Sequence, residues 1–456
     1  MNRSEIRDFT KGEITKPLLA FALPLFLSNL LQVLYNMVDM AVVGENLGKV
    51  GTSAVAVGGD VSGLLTFIAM GFSAAGQVLI ARYIGAGERH KLGRFIGTMC
   101  GFLLLASVFI TGLGFLFQDK LLRLMNTPAE SYEGAAAYAS ICMAGMIFIY
   151  GYNAISAIFR GMGDSKRPFL FIGVSAVLNL ILDLILVPIP SLGAAGAAIA
   201  TVISQAVSAI LGVVYLIRNR HRYELTLKAA DFVRWDGEML GSFVKLGTPM
   251  AIKTASIQVS KLFVNAYIND YGVAVSAFAG IANKISSIAN LVSAAMNTAG
   301  STIVGQNIAA GEYARVKKVL LRLGMITVTV AALLSLLLCL FPTPIFSLFT
   351  NEGDGEVLAL VPGYLPIAVL LFFGSALRAM MNALLNGSGN YGMNFVTAIL
   401  DGIVMRIGLA LLFGLGLNMA YYGFWLGDAI AGFTPFFIGL GFYISGRWKR
   451  SAKKTA

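Results

Sequence analysis

Two aspartates stand in the middle of long apolar stretches, Asp39 within Leu34-Tyr-Asn-Met-Val-Asp-Met40 and Asp183 within Asn179-Leu-Ile-Leu-Asp183. Asn179 and Asp183 are four residues apart, so on a helix they stack on one face. Thr201, in the next apolar stretch, can add a hydroxyl. Carboxylates at such depth with no fixed cation beside them must bind a mobile one, hold a proton, or open onto water. A sodium ion would want several hard oxygen ligands, as other hard cations do. The set is therefore read as one site for a coupling cation, H+ or Na+. The plainer reading is that Asp39 and Asp183 are hydrogen-bonded glue between helices. Asp60, a third acid, lies near the outer end of its stretch, at a depth that water reaches.

Five cations are embedded as well: Lys253, Lys261, Lys284, Arg378 and Arg406. All fall in the second half of the chain, where Asp401 and Asp428 are also embedded, and mutual pairing is a sufficient account of them. The only histidines, His90 and His221, sit between apolar stretches, so His-dependent or metal-assisted chemistry at membrane depth has no residues to run on. Cys100, Cys142 and Cys339 form no CxxC or His-linked set and read as small fillers. Gly387-Ser-Gly-Asn-Tyr-Gly392 fits GxGxxG, but no strand precedes it, so it reads as a loop turn; no P-loop sequence occurs. No cofactor beyond the coupling ion and no enzymatic activity are expected.

The elements that must position these residues follow from composition. Of 456 residues 57% are apolar and only 12% charged, with 51 glycines and a mean hydropathy of +0.77. Soluble chains carry about 25% charged residues, so this is an integral membrane protein. Runs long enough to span, roughly 20 residues, lie near 17–43, 54–81, 95–117, 134–159, 168–189, 194–217, 242–268, 274–304, 319–341, 358–385, 393–415 and 418–445. Alternate connections hold 26 of the 34 Lys and Arg residues, and the opposite set holds only Lys49, Lys120 and Arg123. The positive-inside rule then places both termini in the cytoplasm. The formal charge of +11 thus marks topology; nucleic-acid binding, which needs basic residues gathered on one surface, is not expected. The charged N-terminus (Arg3, Glu5, Arg7, Asp8) reads as a retained cytoplasmic tail, and Trp448, beside Lys449 and Arg450, as an interfacial anchor.

The chain also repeats itself. Ala81-Arg-Tyr-Ile-Gly-Ala-Gly-Glu88 returns as Gly305-Gln-Asn-Ile-Ala-Ala-Gly-Glu312, and Arg160-Gly-Met-Gly163 as Asn386-Gly-Ser-Gly389. Gln32 and Asp39 in the first span answer to Gln258 and Asn265 in the seventh. One repeat is six spans, an even number, so both halves keep one orientation and a pseudo-two-fold axis along the membrane normal relates them. The expected fold is all-α and integral to the membrane: twelve helices in two six-helix lobes, 1–217 and 241–456, joined by a cytoplasmic linker at 218–240.

This layout resembles the multidrug and toxic compound extrusion (MATE) family, nearly end to end. The resemblance rests on Gln32 with Tyr35-Asn-Met-Val-Asp39, the Arg82–Gly87 segment, Arg160-Gly-Met-Gly163 with Pro168, and Gly193-Ala-Ala-Gly-Ala-Ala-Ile-Ala-Thr201. It implies a secondary antiporter of a prokaryotic-type cytoplasmic membrane that exports drugs or toxic metabolites, often cationic and amphipathic, in exchange for H+ or Na+. In the DinF-like branch two aspartates, an asparagine and a threonine form the cation site; those roles fall on Asp39, Asp183, Asn179 and Thr201. Tyr35, Gln32 and Asn153 match positions near the substrate cavity. Acids that some relatives use for Na+ in the seventh and tenth spans are absent: this chain has Lys253, Lys261 and Arg378 there. Membrane lipids surround what is expected to be a functional monomer working by alternating access between its lobes. Two rival readings stand beside this one: a lipid-linked-saccharide flippase of the same superfamily, and a membrane-embedded enzyme.

Overall fold

Helix α1 runs for 71 residues, Thr15–Gly85, in the computed structural model, which describes residues 5–350 and 355–454. At 1.5 Å per residue such a helix would be about 107 Å long, against about 30 Å of hydrocarbon. It is broken at Gly48, whose φ of 61° and ψ of −157° lie in a region that only glycine enters cheaply. The break makes two spans of it. Next come α2 (Leu92–Leu124), then α3 (Ala129–Ala144) and α4 (Met146–Gly161), which form one span bent by 52° at Gly145, then α5 (Lys166–Leu186) and α6 (Ala194–Arg218). After the linker come α7 (Gly237–Asn269), α8 (Val273–Ala309), α9 (Tyr313–Leu340), the short α10 (Pro342–Ser347) and α11 (Gly355–Leu358), and α12 (Val361–Gly387). The last two spans are α13 (Tyr391–Ile399) with α14 (Arg406–Leu411), and α15 (Ala420–Ala431) with α16 (Thr434–Ile444). The described residues thus supply twelve spans and no strand.

The chain packs as two units, residues up to Asp8 with Leu27–Ala251, and Phe9–Phe26 with the residues from Ile252 onward. The change of unit comes two residues after Pro24 in α1 and two after Pro249 in α7. Phe9, Leu18, Phe21 and Leu25 accordingly bury against Ala299, Ile303 and Leu323 in the second unit, while Phe243 and Met250 bury against Phe72 and Phe95 in the first.

The linker is folded onto the first unit. Gly93, Gly97 and Gly101 line one stripe of α2, and side chains there would fall on the carbonyl of Thr226, on Asp231, and on the carbonyl of Phe232. Tyr223 and Leu225 are buried in the same core, and the Tyr223 hydroxyl donates to Asp164 at 2.8 Å. Residues at the start of the first unit join this surface: the Glu5 N–H donates to the Arg222 carbonyl at 2.8 Å and the Glu5 carboxylate meets Arg222 at 3.2 Å.

The repeat is written in the backbone. Left-handed glycines recur one repeat apart at Gly48 and Gly272, Gly87 and Gly311, and Gly163 and Gly389, and Gly193 is answered by Asn418. Glycine is favoured there because it has no Cβ to clash at positive φ. Gly161 and Gly387 have a second role. A Cβ on Gly161 would stand 2.8 Å from the Gln77 carbonyl oxygen, and one on Gly387 2.8 Å from that of Ser301, the matching residue. The shared Gly-x-Gly motif thus ends one span against the backbone of another in each unit. It also settles the GxGxxG match as a turn: Gly389 has φ 66° and the Asn390 side chain caps α13, accepting from the Met393 N–H at 3.0 Å.

Trp448 departs from expectation. It is 2% exposed, its ring stacks on Tyr443 at 5.7 Å, and its indole N–H donates to the Tyr443 carbonyl, so it fills a protein core and does not lie out in the interface. Its neighbouring charges suggested the interface; the aromatic partners, Tyr443 five residues back and Tyr313 far off in sequence, could not be read from them.

Candidate cation-coupling site

Helix α5 carries a polar stripe at successive fourth positions, Ser175, Asn179 and Asp183, all buried, Asp183 to 0% exposure. Helix α1 presents Gln32, Tyr35 and Asp39 at spacings of three and four, again one face. The two stripes meet: the Asp39 and Asp183 carboxyls lie close enough to hydrogen-bond through a shared proton. Asp39 Oδ1, both Asp183 oxygens and Asn179 Nδ2 are buried without a hydrogen-bond partner among the protein groups described. An ionised carboxylate only accepts hydrogen bonds, and two such groups face to face repel unless a proton or a cation lies between them. The geometry can therefore do what the sequence required of it, namely hold a mobile positive charge.

Tyr35 lies within electrostatic reach of both carboxylates, with Gln32 one turn before it on the same face of α1. Thr201 is placed differently from the expectation. It lies beside Tyr138 of α3, and Tyr138 in turn lies within electrostatic reach of Asp39. Cys142, one turn on from Tyr138, joins the group through Tyr138 and Ser62. Tyr138 was missed from the sequence because an aromatic in the alanine-rich run Gly134-Ala-Ala-Ala-Tyr-Ala-Ser140 reads as filler; the one available signal was its hydroxyl. Gly58 makes room for it, since a Cβ there would press on Tyr138 and on the Ala135 carbonyl. Asn153 donates its amide to the Ile149 carbonyl at 2.9 Å, one turn back in its own helix. Among the described residues no three His, Cys, Asp or Glu side chains gather to hold a metal, so a sodium ion at the aspartate pair would need neutral oxygens.

Two arginines counted as loop residues are deeper than expected. Arg82 is 3% exposed, and Arg160 is half-buried with Nε donating to Gln77 at 2.9 Å. Each closes its helix in the last turn, where the helix dipole favours a cation.

In the second unit, pairing accounts fully for Arg406 alone. Its guanidinium bonds Asp428 and lies 3.3 Å from Asp401. Asp401 opens a π-helical turn, Leu400–Met405, and such a turn brings residues five apart together, as it does Asp401 and Arg406. Lys261 interacts with Asp428 at longer range. Lys284 is exposed, its ammonium 5.8 Å from the Phe349 ring.

The MatE family model matches residues 24–185 and 249–412, one stretch per repeat. The chain belongs to the MatE family. It is 29% identical over 439 residues to the probable multidrug resistance protein YoeA of Bacillus subtilis (strain 168), covering 95% of this chain and 94% of that one. It is 28% identical over 452 residues to the probable multidrug resistance protein YpnP of the same organism, covering 97% of each. Its fold is similar, with a TM-score of 0.90 at 23% identity, to a MOP superfamily transporter from Pyrococcus furiosus described by a "reverse polarity of binding pocket"; the match covers 99% of this chain and 100% of that one. As a MatE transporter the protein is a multi-pass membrane protein. Asp39, Asn179 and Asp183 lie in the first matched stretch, and Arg378, Asp401 and Arg406 in the second.

Proposed function

We propose that the protein is a secondary active exporter of amphipathic organic compounds, many of them cationic, driven by inward movement of H+ or Na+ at Asp39 and Asp183. The observation that carries this reading is the facing pair of carboxylates, Asp183 buried and Asp39 half-buried, with no Lys or Arg at ion-pair distance among the described residues. A cation from outside loads the pair and favours a state with lower affinity for the drug; coupling arises because cation and drug prefer different states. Asn179 and Thr201 add neutral oxygens for the cation, Tyr138 stands beside Thr201, and Tyr35 and Gln32 border the pair on the substrate side. The protein works as a monomer in the cytoplasmic membrane with both termini inside, its lobes 1–217 and 241–456 joined through 218–240. Names of the Bacillus relatives, both probable multidrug resistance proteins, support the substrate class.

The test is purified protein in liposomes with an imposed pH or Na+ gradient and a cationic dye. Gradient-dependent dye movement is expected in the wild type, with loss of at least tenfold in Asp39→Asn and Asp183→Asn while both variants elute and melt as folded protein. Wild-type rates in Asp39→Asn would sink the assignment. A second reading, a flippase for lipid-linked saccharides, draws on Lys253, Lys261, Lys284 and Arg406 as cations for a pyrophosphate; of these Arg406 is committed to Asp401 and Asp428. Movement of a labelled lipid-linked sugar without a gradient-driven dye signal would favour it.

A further inference from the structure

Three interior cations of the second unit, Lys253, Lys261 and Arg378, are left over once Arg406 has taken Asp401 and Asp428, and two of them share a strip of α12. Arg378 and Asn382 are one turn apart on α12, hence on one face. Lys253 of α7, only 9% exposed, donates from Nζ to Asn382 Oδ1 at 2.5 Å. The ammonium and the guanidinium are thereby set on the same strip of α12. Among the described residues a neutral amide oxygen is the one acceptor given to Lys253, and Arg378 Nε is buried without an acceptor. Neither cation has a carboxylate at ion-pair distance among the described residues; Asp401 acts on both only at longer range. Gly432 opens the space around the guanidinium, for a Cβ there would stand 3.2 Å from Arg378 Nη2.

Four interior cations, Lys253, Lys261, Arg378 and Arg406, thus face two acids. Charge at membrane depth is expensive without a partner, and an arginine does not escape by losing its proton. A guanidinium beside an ammonium matches the two or three oxygens of a carboxylate or phosphate, which arginine grips with parallel hydrogen bonds. We propose that Lys253 and Arg378 form a binding site for the anionic group, carboxylate or phosphate, of an amphipathic substrate. The proposal rests on the exporter reading for what the ligand is, and on the second unit alone for where it binds. It makes an anionic group on the cargo, beside any cationic one, a determinant of affinity.

A matched pair of dyes tests it: rhodamine B, which carries a free carboxylate, and its ethyl ester, which does not. Binding is measured by fluorescence anisotropy on full-length protein in phosphatidylcholine nanodiscs, where no anionic lipid competes. The wild type should bind the acid at least tenfold more tightly than the ester. Arg378→Gln and Lys253→Met, made separately and checked for folding by thermal unfolding, should each erase most of that preference while ester affinity changes less than twofold. Arg378→Lys should keep part of it. Equal binding of acid and ester by the wild type, binding of neither, or equal weakening of both dyes in the variants overturns the proposal. Proteoliposomes separate the two readings: gradient-driven movement of the ester without acid preference leaves the exporter and removes the anion site. Acid preference without gradient-driven movement of either dye does the reverse.

Discussion

Tyr138 stands beside Thr201 and within electrostatic reach of Asp39. A phenol there can follow the charge on the aspartates, donating toward them when they are bare and toward Thr201 when a cation sits between them. Tyr138→Phe keeps the ring that packs against Gly58 and removes only this link, so stability should change by no more than the roughly 1 kcal/mol of one net hydrogen bond. Gradient-driven efflux in proteoliposomes should fall three- to tenfold, with the concentration of H+ or Na+ needed for half-maximal rate shifted upward. An unchanged ion dependence would make Tyr138 a packing residue only. Asn153, whose amide donates to Ile149 and whose expected place is near the substrate cavity, supplies the contrast: Asn153→Ala should change dye affinity and leave the ion dependence at wild type.

At the scale of elements, glycine decides where helices and connections can touch. The stripe Gly93, Gly97, Gly101 on α2 lets the linker backbone lie directly on the helix, and any side chain at Gly93 must displace the Thr226 carbonyl. Forcing extra atoms into a packed contact costs about 1–3 kcal/mol. Gly112 of the same helix meets nothing within 4 Å of an added Cβ, so Gly112→Ala should be neutral or stabilising by up to about 1 kcal/mol through helix propensity alone. Thermal unfolding followed by intrinsic fluorescence should therefore show Gly93→Val melting several degrees below wild type and Gly112→Ala at or above it. Equal melting of the two would mean that the linker is not held by this stripe.

For the whole molecule, twelve spans and the repeat were legible because a hydrocarbon solvent imposes its thickness on the sequence and the turn glycines impose theirs on the loops. The Asn179–Asp183 stripe was legible too, since helical period fixes which residues share a face of one helix. What period cannot give is which helix faces which: Tyr138 beside Asp39, Lys253 beside Asn382, and Trp448 inside an aromatic cluster all depend on that. Orientation in the membrane is a further global property, and it rests on charge alone. With 26 Lys and Arg on one set of connections and three on the other, the bias is far beyond what one or two substitutions could reverse. In a background with Cys100, Cys142 and Cys339 replaced, single cysteines at Lys49 and Lys120 should react with a membrane-impermeant maleimide on intact cells. Cysteines at His90 and His221 should stay unlabelled until the cells are permeabilised. The inverse pattern would turn the molecule over, and with it the side from which a coupling cation reaches Asp39 and Asp183.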